Sequence, residues 1–128
     1  MAGHSRRALI SITDCRMPPA NLQDQWLAVL RVAFDDVDPA KGPLDDPDAR
    51  PLTVAQAQTI AKFVLTLPPE ARTLVVHCKA GISRSAGVAR AVARRMGLRF
   101  PHDYLDYNRH ACRLVEEQMR VRTTPGAG

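Results

Sequence analysis

At 128 residues and a net charge of +5, the chain has room for one domain that buries about two-thirds of its unfolded surface, and none for a second. With 45% hydrophobic and 24% charged residues it reads as soluble and globular, and no apolar run approaches the roughly 20 residues that a membrane span requires. Arg6 and Arg7 precede an apolar stretch too short for a signal peptide, so the expected location is cytoplasmic, with no membrane partner.

Along the chain, Ala8 to Thr13 (ALISIT) is apolar and β-branched, which suits a buried strand. Asp14 to Gln25, with Pro18-Pro19, is a loop with a helical turn near Asn21 to Gln25. Trp26 precedes a second strand over Leu27 to Phe34 and is expected in the core. Asp35 to Pro51 holds six aspartates, four prolines and one glycine and can only be an exposed loop. At Thr53 the pattern becomes helical, with Thr53 as N-cap and Gln56 completing a capping box. Val54, Ala57, Ile60, Ala61, Val64 and Leu67 keep helical spacing until Pro68-Pro69.

A third strand, Thr73 to Val76, runs into the loop HCKAGISRS and then a helix over Arg84 to Met96. That helix sets Val88, Ala91, Val92 and Met96 on one face, Arg90 and Arg94 roughly opposite, and Gly97 as C-cap. Asn108 can cap a last helix with Ala111, Leu114, Val115, Gln118 and Met119 as its stripe. Thr123 to Gly128 is a frayed tail to a single domain spanning residues 1–128. Strands alternating with helices predict an α/β fold: one three-layer domain with a small, largely parallel central sheet flanked by helices.

In such sheets, ligands bind beyond the carboxyl ends of the strands. That rule gathers Asp14, Cys15 and Arg16, then Asp35, Asp36 and Asp38, then Cys78 to Arg84 at one edge. Between strand and helix, Cys78 would feel the positive end of the helix dipole, which lowers a thiol pKa from about 8.5 into the range of about 3.5–7.5. The backbone N–H groups of the loop could cradle an anion.

Cys15, Cys78 and Cys112 are too widely spaced for a paired metal-ligand motif and odd in number for a disulfide framework, so one reactive thiol and two bystanders are expected, with no metal and no cofactor. The arginines are scattered from Arg6 to Arg122 without a dense block and aromatics are 5%, which argues against nucleic acid; an anionic substrate explains the sign of the charge.

His-Cys, two residues, Gly, two residues, Arg-Ser resembles the signature loop of the cysteine-dependent protein tyrosine phosphatases, and HCKAGISRS is most similar to the small dual-specificity branch. The resemblance is tight over Leu74 to Ala89 and looser over Ala28 to Asp36. It implies a protein tyrosine phosphatase-like fold and hydrolysis of phosphotyrosine, with phosphoserine and phosphothreonine as further substrates, through a phosphocysteine on Cys78. Arg84 would hold two phosphate oxygens with its planar fork. The backbone of Lys79, Ala80, Gly81, Ile82, Ser83 and Arg84 would bind the rest. Ser85 would hydrogen-bond the sulfur and help it leave, and His77 would order the loop. The family's acid, an aspartate some thirty-odd residues before the cysteine, falls on Asp36, with Asp35 a close rival and Asp38, Asp45 and Asp46 open.

The resemblance gives Asp14 no role. A disulfide between Cys15 and Cys78 under oxidation is a further expectation from strand-end placement. The chain has no Trp-Pro-Asp loop and lacks the segments with which larger tyrosine-specific enzymes grip the ring. Ile82 stands where lipid-phosphatase members carry a second lysine, which disfavours inositol phosphates. The expected partner is a phosphorylated protein; the alternatives are an RNA 5′-phosphatase and a non-catalytic phosphate-binding module.

Overall fold

The computed structural model describes residues 6–18, 22, 25–78, 83–101 and 103–123. In chain order they form β1 (Arg7–Thr13), β2 (Ala28–Ala33), a 3-10 turn (Pro39–Lys41), α1 (Val54–Leu65), β3 (Thr73–His77), α2 (Arg84–Met96) and α3 (Arg109–Thr123). The three strands make one parallel sheet in the order β2-β1-β3.

Burial explains the order. Ala8, Leu9, Ile10, Ser11 and Ile12 are all 2% exposed or less, so β1 is covered on both faces, as a central parallel strand must be. In β2 exposed Val29, Arg31 and Ala33 alternate with more buried residues, the pattern of an edge strand with one wet face. Ile10, Ile12, Val32 and Phe34 share one cluster with Ile60 and Val64 of α1, Val88 and Val92 of α2, and Val115 and Met119 of α3. On the opposite face Leu9 and Ser11 are also buried, and the Arg7 guanidinium lies 4.6 Å from the Trp26 ring centroid. The step from β1 to β2 and the return through α1 to β3 run in opposite directions across the sheet. Right-handed crossovers therefore fall on opposite faces, which puts Trp26 on the side away from α1.

Local chemistry sets the helix ends. Thr53 Oγ1 accepts from Gln56 N at 3.1 Å and Gln56 Oε1 accepts from Thr53 N at 3.0 Å, the expected capping box. Gln56 Nε2 also donates to Ala33 O at 2.7 Å, fastening the start of α1 to the end of β2. Gly97, at φ 70°, takes the left-handed conformation that closes α2. Asn108 Oδ1 accepts from Ala111 N at 2.9 Å and caps α3.

Four residues depart from the sequence reading, the first being Leu67, which lies beyond α1 because the helix ends at Leu65 with Thr66 as its C-cap. Trp26 is part-buried beneath Arg7 and stays outside the main cluster. Met96 is 46% exposed, because it falls in the last turn of α2, beyond the end of the core. Val54 is 50% exposed because it is the first helical residue. Among the described residues no helix is long and apolar enough to cross a membrane.

Helices α2 and α3 begin side by side. Asn108 N donates to Ser83 O at 2.9 Å, and a Cβ on Gly87 would lie 2.5 Å from Asn108 O. A glycine at that position lets the backbone leading into α3 rest directly on the first turns of α2.

Candidate active site

The strand ends, as the topology predicts, converge on one edge. Cys78 leaves β3 part-buried, with its Sγ 3.3 Å from the Ser85 Oγ in the first turn of α2. The expected ligand loop, Lys79, Ala80, Gly81 and Ile82, lies outside the described residues. His77 Nε2 is 2.7 Å from Ser11 Oγ, and the β1–β3 register makes these two residues partners across the sheet. Ser11 is fully buried, so the histidine ring is tied into the sheet directly behind the cysteine.

Arg84 is 6% exposed, and its Nη1 donates to Asp14 Oδ1 at 2.5 Å and to Phe34 O at 2.9 Å. A buried guanidinium needs such partners. Here they come from the ends of β1 and β2, so two strands position it. Asp14, to which the family resemblance assigns nothing, is thus the charge partner of Arg84. The signal in the sequence was the strand-end rule, which had already set Asp14 on this edge.

The two rival aspartates separate by their hydrogen bonds. Asp35 Oδ1 accepts from Cys15 N at 3.1 Å and Oδ2 from Arg50 N at 2.8 Å, while Asp35 N donates to Arg50 O at 2.7 Å. The backbone bond from Arg50 is the main reason its carboxyl is held below the usual range, with the Cys15 bond adding to it and burial opposing. A carboxylate locked ionised by two backbone donors joins loops and is ill suited to deliver a proton. Asp36 is exposed, and both of its bonds fall on Oδ1: from Ser83 Oγ at 2.9 Å and from Asn108 Nδ2 at 2.9 Å. Asp36 is thereby tied to the residue that opens α2 and to the cap of α3.

The remaining aspartates serve the loop. Asp38 accepts from Ala40 N at 3.0 Å and caps the 3-10 turn. Asp46 accepts from Asp48 N at 2.9 Å, and the Arg16 Nη2 lies 3.4 Å from Asp46 and 3.7 Å from Asp48. Asn108, read from the sequence only as a cap, also donates to Val37 O at 3.2 Å and so holds the loop on both sides of Asp36. Nothing in its local sequence could have announced a partner 72 positions away.

Cys78 opens on a cavity of about 320 Å³ lined by Ile12, Thr13, Asp14, Met17, Pro18 and His77. Cys15 lines a different cavity with Ala33, Arg50 and Gln56. Burial, followed by the Asp35 charge, pushes the Cys15 thiol pKa up, and all three cysteines are free. Cys15 and Cys78 thus lie at the same sheet edge but line separate cavities. Among the described residues no group of three or more His, Cys, Asp or Glu is placed to hold a metal ion.

A thiol beside a hydroxyl, a buried arginine, and a carboxylate held on one oxygen are the parts of nucleophilic attack with proton delivery. Comparison with models of known families, with curated proteins and with solved structures finds no match.

Proposed function

We propose that this chain is a cysteine-dependent phosphomonoesterase of protein tyrosine phosphatase-like, three-layer fold, acting on phosphotyrosine and, by the same chemistry, on phosphoserine and phosphothreonine. The observation that carries the reading is the meeting of Cys78, Ser85 and Arg84 at the junction of β3 and α2, with Asp36 bonded to the adjacent Ser83.

In the first step Cys78 sulfur attacks phosphorus and forms the S–P bond as the ester P–O bond breaks. Asp36 gives its proton to the departing oxygen from Oδ2, the oxygen opposite the one held by Ser83 and Asn108. Arg84, held through Nη1, turns the rest of its fork toward the phosphoryl oxygens and offsets their charge. In the second step the Asp36 carboxylate takes a proton from water, whose oxygen attacks phosphorus. The S–P bond breaks, and the Ser85 hydroxyl donates to the departing thiolate. Met17, 48% exposed, and Pro18 border the cavity beside Cys78 and offer apolar surface of a size for a phenyl ring, which favours aryl esters.

The test is turnover of phosphopeptides carrying Tyr, Ser or Thr by wild-type and Cys78→Ser protein. The wild type is expected to release phosphate, fastest from Tyr, and the variant to lose turnover while still binding the phosphopeptide. Undiminished turnover in Cys78→Ser would overturn the mechanism. Asp36→Asn is expected to slow alkyl phosphates far more than activated aryl phosphates, since only a poor leaving group needs the proton.

A further inference from the structure

Arginines that are scattered in the sequence come together in the fold. A groove of about 380 Å³ runs along the seam of α2 and α3, lined by Arg90, Arg94 and Arg95 from one helix and Arg109, Arg113 and Arg120 from the other. Against these six stand only Glu116 and Glu117, a local excess of four positive charges in a chain whose whole excess is five.

Three of these six guanidinium groups rest on uncharged neighbours. Arg90 and Arg109 lie over the Tyr107 ring at 4.7 and 4.5 Å from its centroid, and Arg109 also donates to the Tyr107 hydroxyl at 2.7 Å. Arg90 reaches Cys112 Sγ at 3.7 Å, and Arg113 sits 3.3 Å from the His110 ring. Among the described residues none of these three forms an ion pair. Of the two carboxylates in the groove, Glu116 is paired with an arginine, its Oε1 3.3 Å from Arg94 Nε.

Two residues of the groove lining, Tyr107 and Arg109, flank a residue bonded to the candidate active site. Tyr107 is adjacent to Asn108, which touches both Asp36 and Ser83. From there the two helices run on together, Arg90 meeting Cys112 and Arg94 meeting Glu116 one turn later. At 1.5 Å per residue, Arg90 is about 9 Å from the start of α2 and Arg120 about 17 Å from the start of α3. An extended polypeptide at about 3.3 Å per residue spans those distances in about three to five residues.

We propose that this groove docks an acidic stretch of the phosphoprotein substrate, with Asp or Glu residues about three to five positions from the phosphorylated one; as a substrate site it rests on the phosphatase reading above. Arginine forks match carboxylates in pairs, and arginines one turn apart match alternate side chains of an extended chain. A single nucleic acid strand would need aromatic platforms for its bases, and the groove's aromatic ring is taken by two guanidinium groups.

Two measurements test this. The first is binding of an unphosphorylated peptide of about twelve alternating Asp and Glu residues, and of an oligouridylate of equal charge, by fluorescence anisotropy. The second is kcat/KM for phosphotyrosyl peptides with acidic or Ser/Gly flanks. The variants are Arg113→Glu/Arg120→Glu, both exposed positions, and the charge-matched control Lys62→Glu/Arg99→Glu outside the groove.

The acidic peptide is expected to bind the wild type and the control, and to bind the groove variant about tenfold more weakly. The acidic flank is expected to raise kcat/KM on the same pattern. Equal weakening in groove variant and control, no binding, or tighter groove-dependent binding of oligouridylate would each overturn the proposal. Groove-dependent peptide binding without turnover of any phosphopeptide overturns the phosphatase reading and leaves the acidic-segment groove standing. Turnover indifferent to the flanks does the reverse.

Discussion

Asn108 Nδ2 donates to Asp36 Oδ1 at 2.9 Å while Asn108 Oδ1 accepts from Ala111 N at 2.9 Å, so one amide both caps α3 and holds the candidate acid. Asn108→Ala removes both functions and is expected to cost about 1 kcal/mol of stability through the lost cap. Asn108→Asp keeps the cap acceptor but cannot donate to Asp36. It sets a second carboxylate beside the first and gives up the bond to Val37 O, so it should lose stability at neutral pH while moving the basic limb of the pH–kcat/KM profile to higher pH, because a second carboxylate disfavours ionisation of the first. A profile identical to the wild type would remove Asn108 from the positioning of Asp36.

Gly87→Ala carries a prediction whose sign is diagnostic. In an open helix interior, alanine for glycine stabilises by about 0.5–1 kcal/mol. Here the new Cβ would lie 2.5 Å from Asn108 O and 3.3 Å from Asn108 N, which are backbone atoms with no rotamer to escape into. The substitution is expected to destabilise by about 1–3 kcal/mol, read from the urea midpoint, and to loosen Asp36 through Asn108. A gain in stability would mean that the two helices are not packed this closely in solution.

How legible this was depends on the range of the interaction. The capping box at Thr53 and Gln56, the αL glycine at position 97 and the apolar stripes of α1 and α3 are local, and spacing alone locates them. The strand-end rule also brought Asp14, Asp36 and Cys78 to one edge. What it could not supply was which side chain meets which: that Arg84 takes Asp14 and the Phe34 carbonyl, or that Asp35 closes on Arg50 and leaves Asp36 to the site. These pairings span 15 to 70 residues and follow from tertiary register. The arginine groove was hidden for the same reason, since a linear scan for a basic block does not see charges brought together by two helices.

Asp35 ties the ends of β1 and β2 to the segment before α1, and its ionised form is what Cys15 N and Arg50 N hold. Its carboxyl pKa is depressed in the folded state, chiefly by the Arg50 backbone bond. The stabilisation is therefore fully present above the unfolded aspartate value of about 3.9, and is lost as pH falls through the folded value. Urea unfolding between pH 6 and pH 2.5 should show the wild type losing stability faster than Asp35→Asn on the acid side of about pH 4. Parallel pH dependence in the two proteins would show that Asp35 does not contribute to the acid limb.

Asp14 presents the sharpest balance of charge. Its carboxylate orients Arg84 through Nη1, yet it also lines the cavity on which Cys78 opens, where it opposes a phosphate dianion. Asp14→Asn keeps an oxygen to accept from Arg84 but removes the negative charge. Phosphate in that cavity then meets a guanidinium no longer neutralised at 2.5 Å, and competitive inhibition by inorganic phosphate should tighten by several-fold, about one pH-independent charge interaction. The same change weakens a charge-assisted hydrogen bond to a neutral one, so the fork is held less firmly for the transition state and kcat should fall about tenfold. The two effects move in opposite directions, and that split separates a positioning role from a purely structural one, in which Ki and kcat would change only with the fraction folded. Weaker phosphate inhibition in a fully folded Asp14→Asn protein would mean that Asp14 assists the anion instead of opposing it.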